Sequence, residues 1–190
     1  MQKINENDLA LSKRNVKIYP LAKILVEDVK QFFASLGHDT LIDDGVFMLL
    51  GEDSSIGSWV HIACGASVQG SGKLVVGDFV GISSGVRIFT ASDDLTKGSL
   101  TNPTVPDKYR TVKRSPVTIG KHAVIGSNSV VMGGAQIGDG VIVGACSFVP
   151  TDAKLEAWHV YAGCPVRKVG TRPQEIVETK EAHLRMEYAA

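Results

Sequence analysis

The sequence is poor in cysteine and carries no net charge. Cysteine occupies only 3 of the 190 positions, at 64, 146 and 164. Three scattered cysteines are too few for a disulfide framework or a Cys-x-x-Cys metal site, so we expect a reduced, cytoplasmic setting. Lysine and arginine together number 20, as do aspartate and glutamate. This balance argues against a nucleic-acid-binding protein, which needs a basic excess or a strongly basic face.

Long hydrophobic runs are also missing. No apolar stretch reaches the ~18 residues that a membrane span requires, and residues 1–8 lack the apolar centre of a signal peptide. Aromatic residues make up only 6% of the chain, whereas there are 20 glycines. The composition therefore favours one domain with many turns and a core of aliphatic side chains.

An aliphatic residue returns at every sixth position over residues 119–149, and a small residue usually follows it. The series consists of Ile119, Ile125, Val131, Ile137, Val143 and Val149. Neither the 3.6-residue period of a helix nor simple alternation produces this spacing. Hexapeptide repeats are typical of a parallel β-helix. Each unit forms a short strand and a turn, and three units close a triangular coil, so the aliphatic residues should point inward.

The same spacing recurs earlier in the chain, with interruptions. It is clear at Ile56, Ile62 and Val68 and, after two extra residues, at Val76, Ile82 and Ile88; it is weaker at Leu36, Ile42 and Met48. Ile18 and Ile24 also fit, but Lys30 does not, and residues 26–33 could form a short helix. We expect an N-terminal arm or cap over residues 1–35, a β-helix over 36–170 and a C-terminal helix over 171–190. Pro173 suits the first turn of that helix, which would cover the open end of the solenoid.

The repeat stops over residues 89–118 and resumes in phase at Ile119. The intervening segment is polar and contains prolines 103, 106 and 116. Long segments of this kind within a compact domain are uncommon and often functional. We therefore interpret residues 89–118 as an excursion loop that leaves the solenoid and helps to form a site.

Three segments resemble the hexapeptide-repeat acyltransferases, and within them the sugar O-acetyltransferases typified by maltose and galactoside acetyltransferases. These segments are residues 86–94, 119–149 and 162–167, and residues 100–106 also resemble a galactoside or polysaccharide O-acetyltransferase subgroup. The resemblance covers residues 36–167. It implies a left-handed parallel β-helix, homotrimers with sites between subunits, and transfer of an acetyl group from acetyl-CoA to a hydroxyl of a sugar or polysaccharide precursor, with no metal.

The catalytic residues do not follow directly from the resemblance, because Asp93 stands where the family has its catalytic histidine. Acyl transfer needs a base, for which histidine is well suited. Our hypothesis is that His61 is the base and that Asp93 or Asp94 orients it. Alternatively, Asp93 is the base, with its pKa raised by the neighbouring Asp94. The competing interpretations are solvated loop carboxylates and a surface histidine.

The resemblance also implies residues that bind coenzyme A. Gly126, Ser127, Gly144, Ala145 and Thr151 match family positions beside the pantetheine arm. Arg167 and Lys168 could contact the phosphates through charge-assisted hydrogen bonds, although Cys164 replaces a family asparagine nearby. The alternative is that the glycines serve only the turns and that the two cations are ordinary surface residues.

Three other functions remain open. N-acetylation of an amino sugar, either free or nucleotide-linked, would tolerate the missing histidine because an amine loses its proton more easily. A γ-type carbonic anhydrase shares the fold but needs three histidines around zinc, two of them five residues apart, and no pair here has that spacing. A non-catalytic solenoid has little use for the long polar excursion.

Overall fold

The computed structural model describes residues 2–3, 15–19, 21–26, 35–94, 96 and 98–188. Within these ranges the chain winds into a three-sided parallel β-solenoid, followed by a C-terminal α-helix. The short helix considered for residues 26–33 falls outside the described residues, except for Val26, which ends a strand.

Three sheets form the faces of the prism, and successive coils add one strand to each face. Face 1 contains β2 (Lys17–Ile18), β4 (Leu41–Ile42), β7 (His61–Ile62), β10 (Gly81–Ile82), β15 (Val124–Ile125), β18 (Ile142–Val143), β21 (His159–Ala162) and β22 (Arg167–Thr171). Face 2 contains β1 (Gln2–Lys3), β3 (Lys23–Val26), β5 (Phe47–Leu49), β8 (Ser67–Gln69), β11 (Arg87–Phe89), β16 (Val130–Val131) and β19 (Phe148–Val149). Face 3 contains β6 (Ser55–Ile56), β9 (Leu74–Val76), β14 (Val117–Ile119), β17 (Gln136–Ile137) and β20 (Lys154–Leu155).

The aliphatic ladders predicted from the repeat occupy the interior of the prism. Ile125 pairs in register with Ile82 and Val143 on face 1. On face 3, Ile119 lies between Val76 and Ile137. The ladder residues are buried on all three faces. The prediction that the repeated aliphatic side chains point inward from three walls is confirmed.

The parallel coil starts earlier than residue 36. Strand β2 pairs in parallel with β4, and β3 pairs in parallel with β5. Ile18 and Ile24, the two early residues that fit the six-residue spacing, lie in these strands. Part of the segment that we expected to be an arm or cap therefore already belongs to the solenoid, while the domain boundaries as a whole stay a prediction.

The excursion has a structure of its own. Strands β12 (Ala91–Asp93) and β13 (Val112–Arg114) form an antiparallel hairpin, and a 3-10 helix spans Asp107–Tyr109. The chain returns to the prism where the Ser115 N–H donates to the Thr90 carbonyl, 2.9 Å away. Arg87 then pairs in register with Val130 across the excursion, so the coil continues as if nothing had been inserted.

The C-terminal helix, α1 (Gln174–Tyr188), runs back along a corner of the prism. Glu181 contacts His122, Arg185 contacts Asp78, and Tyr188 meets Trp59 edge-on. From Glu181 to Tyr188 the helix rises about 10.5 Å. Their partners, His122 and Trp59, are two coils apart, which corresponds to ~9.6 Å, so each turn of the helix meets the next coil. Our expectation that this helix covers the open end is wrong; the antiparallel strand β22 pairs with the last coil instead.

A column of rings lies beneath this helix at the corner between faces 3 and 1. Trp59 stacks on Phe79 at 4.7 Å, and Phe79 stacks on His122 at 4.9 Å. All three residues, and Trp158 further along, have positive φ angles between 54° and 61°. Side chains disfavour this region of backbone space, and stacking on the rings above and below offsets the strain.

The described residues include no helix that is both long and apolar enough to cross a membrane.

Candidate active site

His61 lies on the outer side of face 1, where it is half exposed. Its Nε2 is 3.1 Å from Oδ2 of Asp43, one coil earlier. When Nε2 donates its proton to this carboxylate, Nδ1 carries the lone pair that can accept a proton. The pair therefore has the arrangement expected of a general base and the carboxylate that orients it.

A cavity of about 280 Å³ opens beside His61. It is lined by His61, Ala63, Gly81, Ile82, Ser83, Ser84 and Ser127. Apart from His61 and Ile82, the described residues that line it are small, and none of them is a lysine or arginine. Such a surface offers hydroxyl groups and exposed backbone to an uncharged polar ligand.

Asp93 is held tightly within the excursion hairpin. Its Oδ2 accepts the Asn102 N–H at 2.8 Å, and its Oδ1 accepts Nη2 of Arg110 at 3.0 Å. The Asn102 hydrogen bond, followed by that from Arg110, lowers the pKa of Asp93 below its ordinary value. The hypothesis that Asp94 raises this pKa is therefore wrong. The Asp93 carboxylate is ionised and already accepts two hydrogen bonds within the excursion, so it is poorly suited to take a proton.

Asp94 points into a second cavity, of about 380 Å³, at the corner between faces 2 and 3. Its Oδ1 accepts the backbone N–H and the hydroxyl of Thr96 at 3.1 and 3.0 Å. The lining also includes Asp93, Lys113, Ser115, Met132 and Thr151. Ser115 borders a third cavity as well, of about 550 Å³, which contains Lys73 and Arg114. Carboxylates and cations are thus grouped around the base of the excursion.

Most of the residues matched to the coenzyme A arm lie on the corner between faces 1 and 2. Gly126–Ser127 and Gly144–Ala145 occupy this corner on successive coils: the Cys146 N–H donates to the Ser127 carbonyl. A Cβ on Gly126 would lie 2.5 Å from the Ala145 nitrogen, so coil stacking alone requires glycine there. Thr151 lies elsewhere, in the cavity with Asp94.

The two predicted cations follow the last coil. Arg167 pairs with Ala162, which lies next to Gly144 on the same corner. Lys168 forms an ion pair with Glu156, with Nζ 3.1 Å from Oε2. Arg167 is therefore the cation placed at the end of the corner that carries Gly126 and Gly144.

Within one chain, the predicted site residues fall into two groups. His61 and Ser127 share the cavity on face 1, whereas Asp93, Asp94 and Thr151 share the cavity at the excursion. Asp43, and neither Asp93 nor Asp94, is the carboxylate hydrogen-bonded to His61. Sequence analysis missed Asp43, which lies 18 residues before His61. The coil is 20 residues long at this point, since Leu41 is the residue paired with His61, so the six-residue spacing alone does not indicate the contact.

Comparisons with known proteins agree with this architecture. The sequence pattern of the bacterial transferase hexapeptide family (six repeats) matches residues 116–151. The dTDP-4-amino-4,6-dideoxy-D-glucose acyltransferase of Escherichia coli is 31% identical over 160 residues, which cover 82% of each chain.

The chain belongs to the hexapeptide-repeat acyltransferases.

Two further relatives of this acyltransferase differ in the group that they modify. The N-acyltransferase AntD from Bacillus cereus, solved in complex with dTDP and 3-hydroxybutyryl-CoA, is 32% identical with a TM-score of 0.78; the match covers 92% of our chain and 89% of AntD. The galactoside O-acetyltransferase of Escherichia coli strain K12 is 27% identical over 144 residues, covering 74% of our chain and 65% of that protein. The predictions of the family, of a left-handed parallel β-helix and of an acyltransferase are confirmed.

Proposed function

We propose that this acyltransferase moves an acetyl or similar short acyl group from its coenzyme A thioester to the amino group of a nucleotide-linked amino sugar. The observation that carries the proposal is the 31% identity, over 82% of both chains, with an acyltransferase named for a dTDP-linked amino sugar. The AntD structures, which contain dTDP with coenzyme A or an acyl-CoA, support the same pair of substrates.

The residues of the site also favour an amine over a hydroxyl. A hydroxyl must lose its proton as it attacks, which requires a strong base close by. An amine attacks as the neutral base and loses a proton afterwards. Asp93, at the family's histidine position, is engaged by Asn102 and Arg110 and is a poor base. An acceptor that makes modest demands on the base is therefore the better match.

The proposed reaction uses His61 to collect the proton. The amine nitrogen of the acceptor attacks the thioester carbonyl carbon, and a C–N bond forms while the C–S bond breaks. His61 is oriented by Asp43, and its Nδ1 accepts a proton from the attacking amine nitrogen. His61 then returns this proton to the departing thiolate. The products are an amide and free coenzyme A, so atoms and charge balance.

We further propose that three copies assemble with sites between them. The outward residues of face 1 include Leu41, Val124, Ile142 and Val160. Those of face 2 include Phe47, Val130 and Phe148. Face 3 instead presents Ser55, Val75, Thr118, Gln136 and Lys154. A closed three-fold ring joins two different surfaces of each copy. Faces 1 and 2 suit that arrangement because each carries several outward apolar residues, beside Lys17 and His61 on face 1 and Lys23 and Arg87 on face 2.

Such a ring would place the cavity of Asp94 and Thr151 on one copy across a groove from His61 on the next. The two groups of predicted residues, which lie at different corners within one chain, would then contribute to one site. The exposed, unpaired cysteines at positions 64, 146 and 164 support a reducing cytoplasmic location.

The test compares two acceptor sugars that differ only in carrying an amino or a hydroxyl group at the same position. The purified protein is incubated with acetyl-CoA and either dTDP-4-amino-4,6-dideoxyglucose or the matching sugar with a 4-hydroxyl group, and released thiol is measured. We expect kcat/KM for the amino sugar to exceed that for the hydroxyl sugar by at least 100-fold. Equal or reversed preference would replace the proposal with sugar O-acetylation, which the similarity to the galactoside enzyme favours.

A further inference from the structure

Gly81 is the one glycine that combines an ordinary φ angle with an open space where its Cβ would lie. Eight of the 20 glycines have positive φ angles. Of the rest, most would bring a Cβ closer than 3.0 Å to a neighbouring coil. Gly81 has an ordinary φ angle, and apart from its two neighbours along the chain no described residue has an atom within 4 Å of the position of its Cβ.

A glycine in this position weakens the solenoid. Gly81 is the outward residue of β10, between His61 of β7 and Val124 of β15 in exact register. Glycine inside a strand loses more conformational freedom on folding than alanine would and contributes no side chain to packing. Glycine inside a strand often marks a place where a ligand or another backbone comes close.

The surroundings of Gly81 indicate what comes close. Gly81 lines the 280 Å³ cavity together with His61 and with the serines at positions 83, 84 and 127. A phosphate would call for lysine or arginine, and neither occurs among the described residues that line this cavity. Several hydroxyls around an exposed strand backbone suit an uncharged ring that carries hydroxyl groups. His61, which would take the proton of the acceptor, borders the same space.

We propose that Gly81 forms the subsite of the acceptor's sugar ring, which lies directly against the backbone of β10. The inference rests on the proposed function and adds where the ring binds and what limits its size. The missing side chain allows the ring to lie deep enough for its amino group to reach His61. A misplacement of about 1 Å can lower a rate about 100-fold, so even a methyl group at this position should interfere.

The experiment adds that methyl group. Gly81→Ala is compared with Gly170→Ala, a matched control on β22 of the same face, where φ is also ordinary and the nearest atom to an added Cβ is 3.8 Å away. Four quantities are measured: kcat/KM for the nucleotide amino sugar, acetyl-CoA affinity by calorimetry, mass by sedimentation, and thermal stability.

We expect Gly81→Ala to lower kcat/KM for the amino sugar at least tenfold, with acetyl-CoA affinity within twofold of wild type, with mass preserved and with a melting temperature no lower than that of wild type. Gly170→Ala should match wild type throughout. Unchanged acceptor kinetics in Gly81→Ala would overturn the inference alone. A smaller mass would assign the space to a second copy, and weaker acetyl-CoA binding alone would assign it to the donor; either result overturns it. Wild-type protein that acylates no nucleotide amino sugar would overturn the proposed function and this inference with it.

Discussion

Replacing a single ladder residue should destabilise the solenoid far more than replacing its neighbour along the strand. Ile137 and Gln136 are adjacent in β17 on face 3. Ile137 points inward, is only 3% exposed, and lies in register between Ile119 and Leu155. Gln136 points outward and is exposed. The pair therefore separates the effect of the core ladder from that of the strand itself.

The expected loss follows from the number of buried carbons. Ile137→Ala removes three carbons from the core, at about 0.8 kcal/mol each for transfer from water, or about 2.4 kcal/mol. The neighbouring coils are fixed by their own hydrogen bonds and can close the gap only partly, so a cavity term adds to this loss. We expect a total of about 3–4 kcal/mol, and less than about 0.5 kcal/mol for Gln136→Ala.

Equilibrium unfolding in urea, followed by circular dichroism at one fixed protein concentration, measures both values. The fixed concentration matters because association contributes to the stability of an oligomer. If Ile137→Ala lay within 1 kcal/mol of wild type, or if Gln136→Ala cost as much, the ladders would not be what holds the rod together.

Three further predictions concern the site and the helix. His61→Ala should lower kcat about 100-fold, the lower end of the usual contribution of a general base, because an amine makes modest demands on the base. His38→Ala, which removes a histidine with its own aspartate partner, should leave kcat within threefold, and equal losses would refute the assignment. Glu181→Ala should destabilise the protein by about 1–3 kcal/mol because it leaves the buried Nε2 of His122 without its acceptor. In the same urea assay, the control Glu178→Ala on the same helix should cost less than about 0.5 kcal/mol. Burial alone would raise the pKa of Glu181, but hydrogen bonds from His122 and Arg185 outweigh this effect and lower the pKa. The contribution of Glu181 to the stability of the fold should therefore be complete above the ordinary pKa of 4.5. It should be lost as the pH falls through the lower pKa of the folded state. Glu181→Gln should therefore flatten the fall in stability below pH 4.5, and an unchanged slope would contradict this.

The rod was predictable because its signal is local and repeated. Each six-residue unit of 119–149 contains an inward aliphatic residue, so the period alone specifies which side chains stack. The excursion hairpin β12–β13 was not predictable in this way, since its polar residues carry no regular pattern and Asp93 is fixed by contacts with Asn102 and Arg110. The start of the coil at β2 was also obscured, because Lys30 interrupts the spacing.

Side-chain contacts between coils were the harder part of the site. The partnership of His61 with Asp43 depends on the length of one complete coil, which is known only once the corners are known. His122 has the sequence context of a solvated turn residue, yet it is buried beneath α1 and stacked on Phe79. Such contacts join residues that are distant in the sequence and fall outside the six-residue period.

The way in which the excursion joins the rod has an evolutionary consequence. The coil before it and the coil after it are hydrogen-bonded in unbroken register, so the rod does not depend on the number of residues inserted between them. Doubling the length of a flexible insertion costs only about 0.6 kcal/mol of closure entropy. Residues 91–114 could therefore be lengthened, shortened or exchanged between related enzymes while the scaffold keeps its shape, which offers a simple route by which one solenoid could come to act on many different sugars.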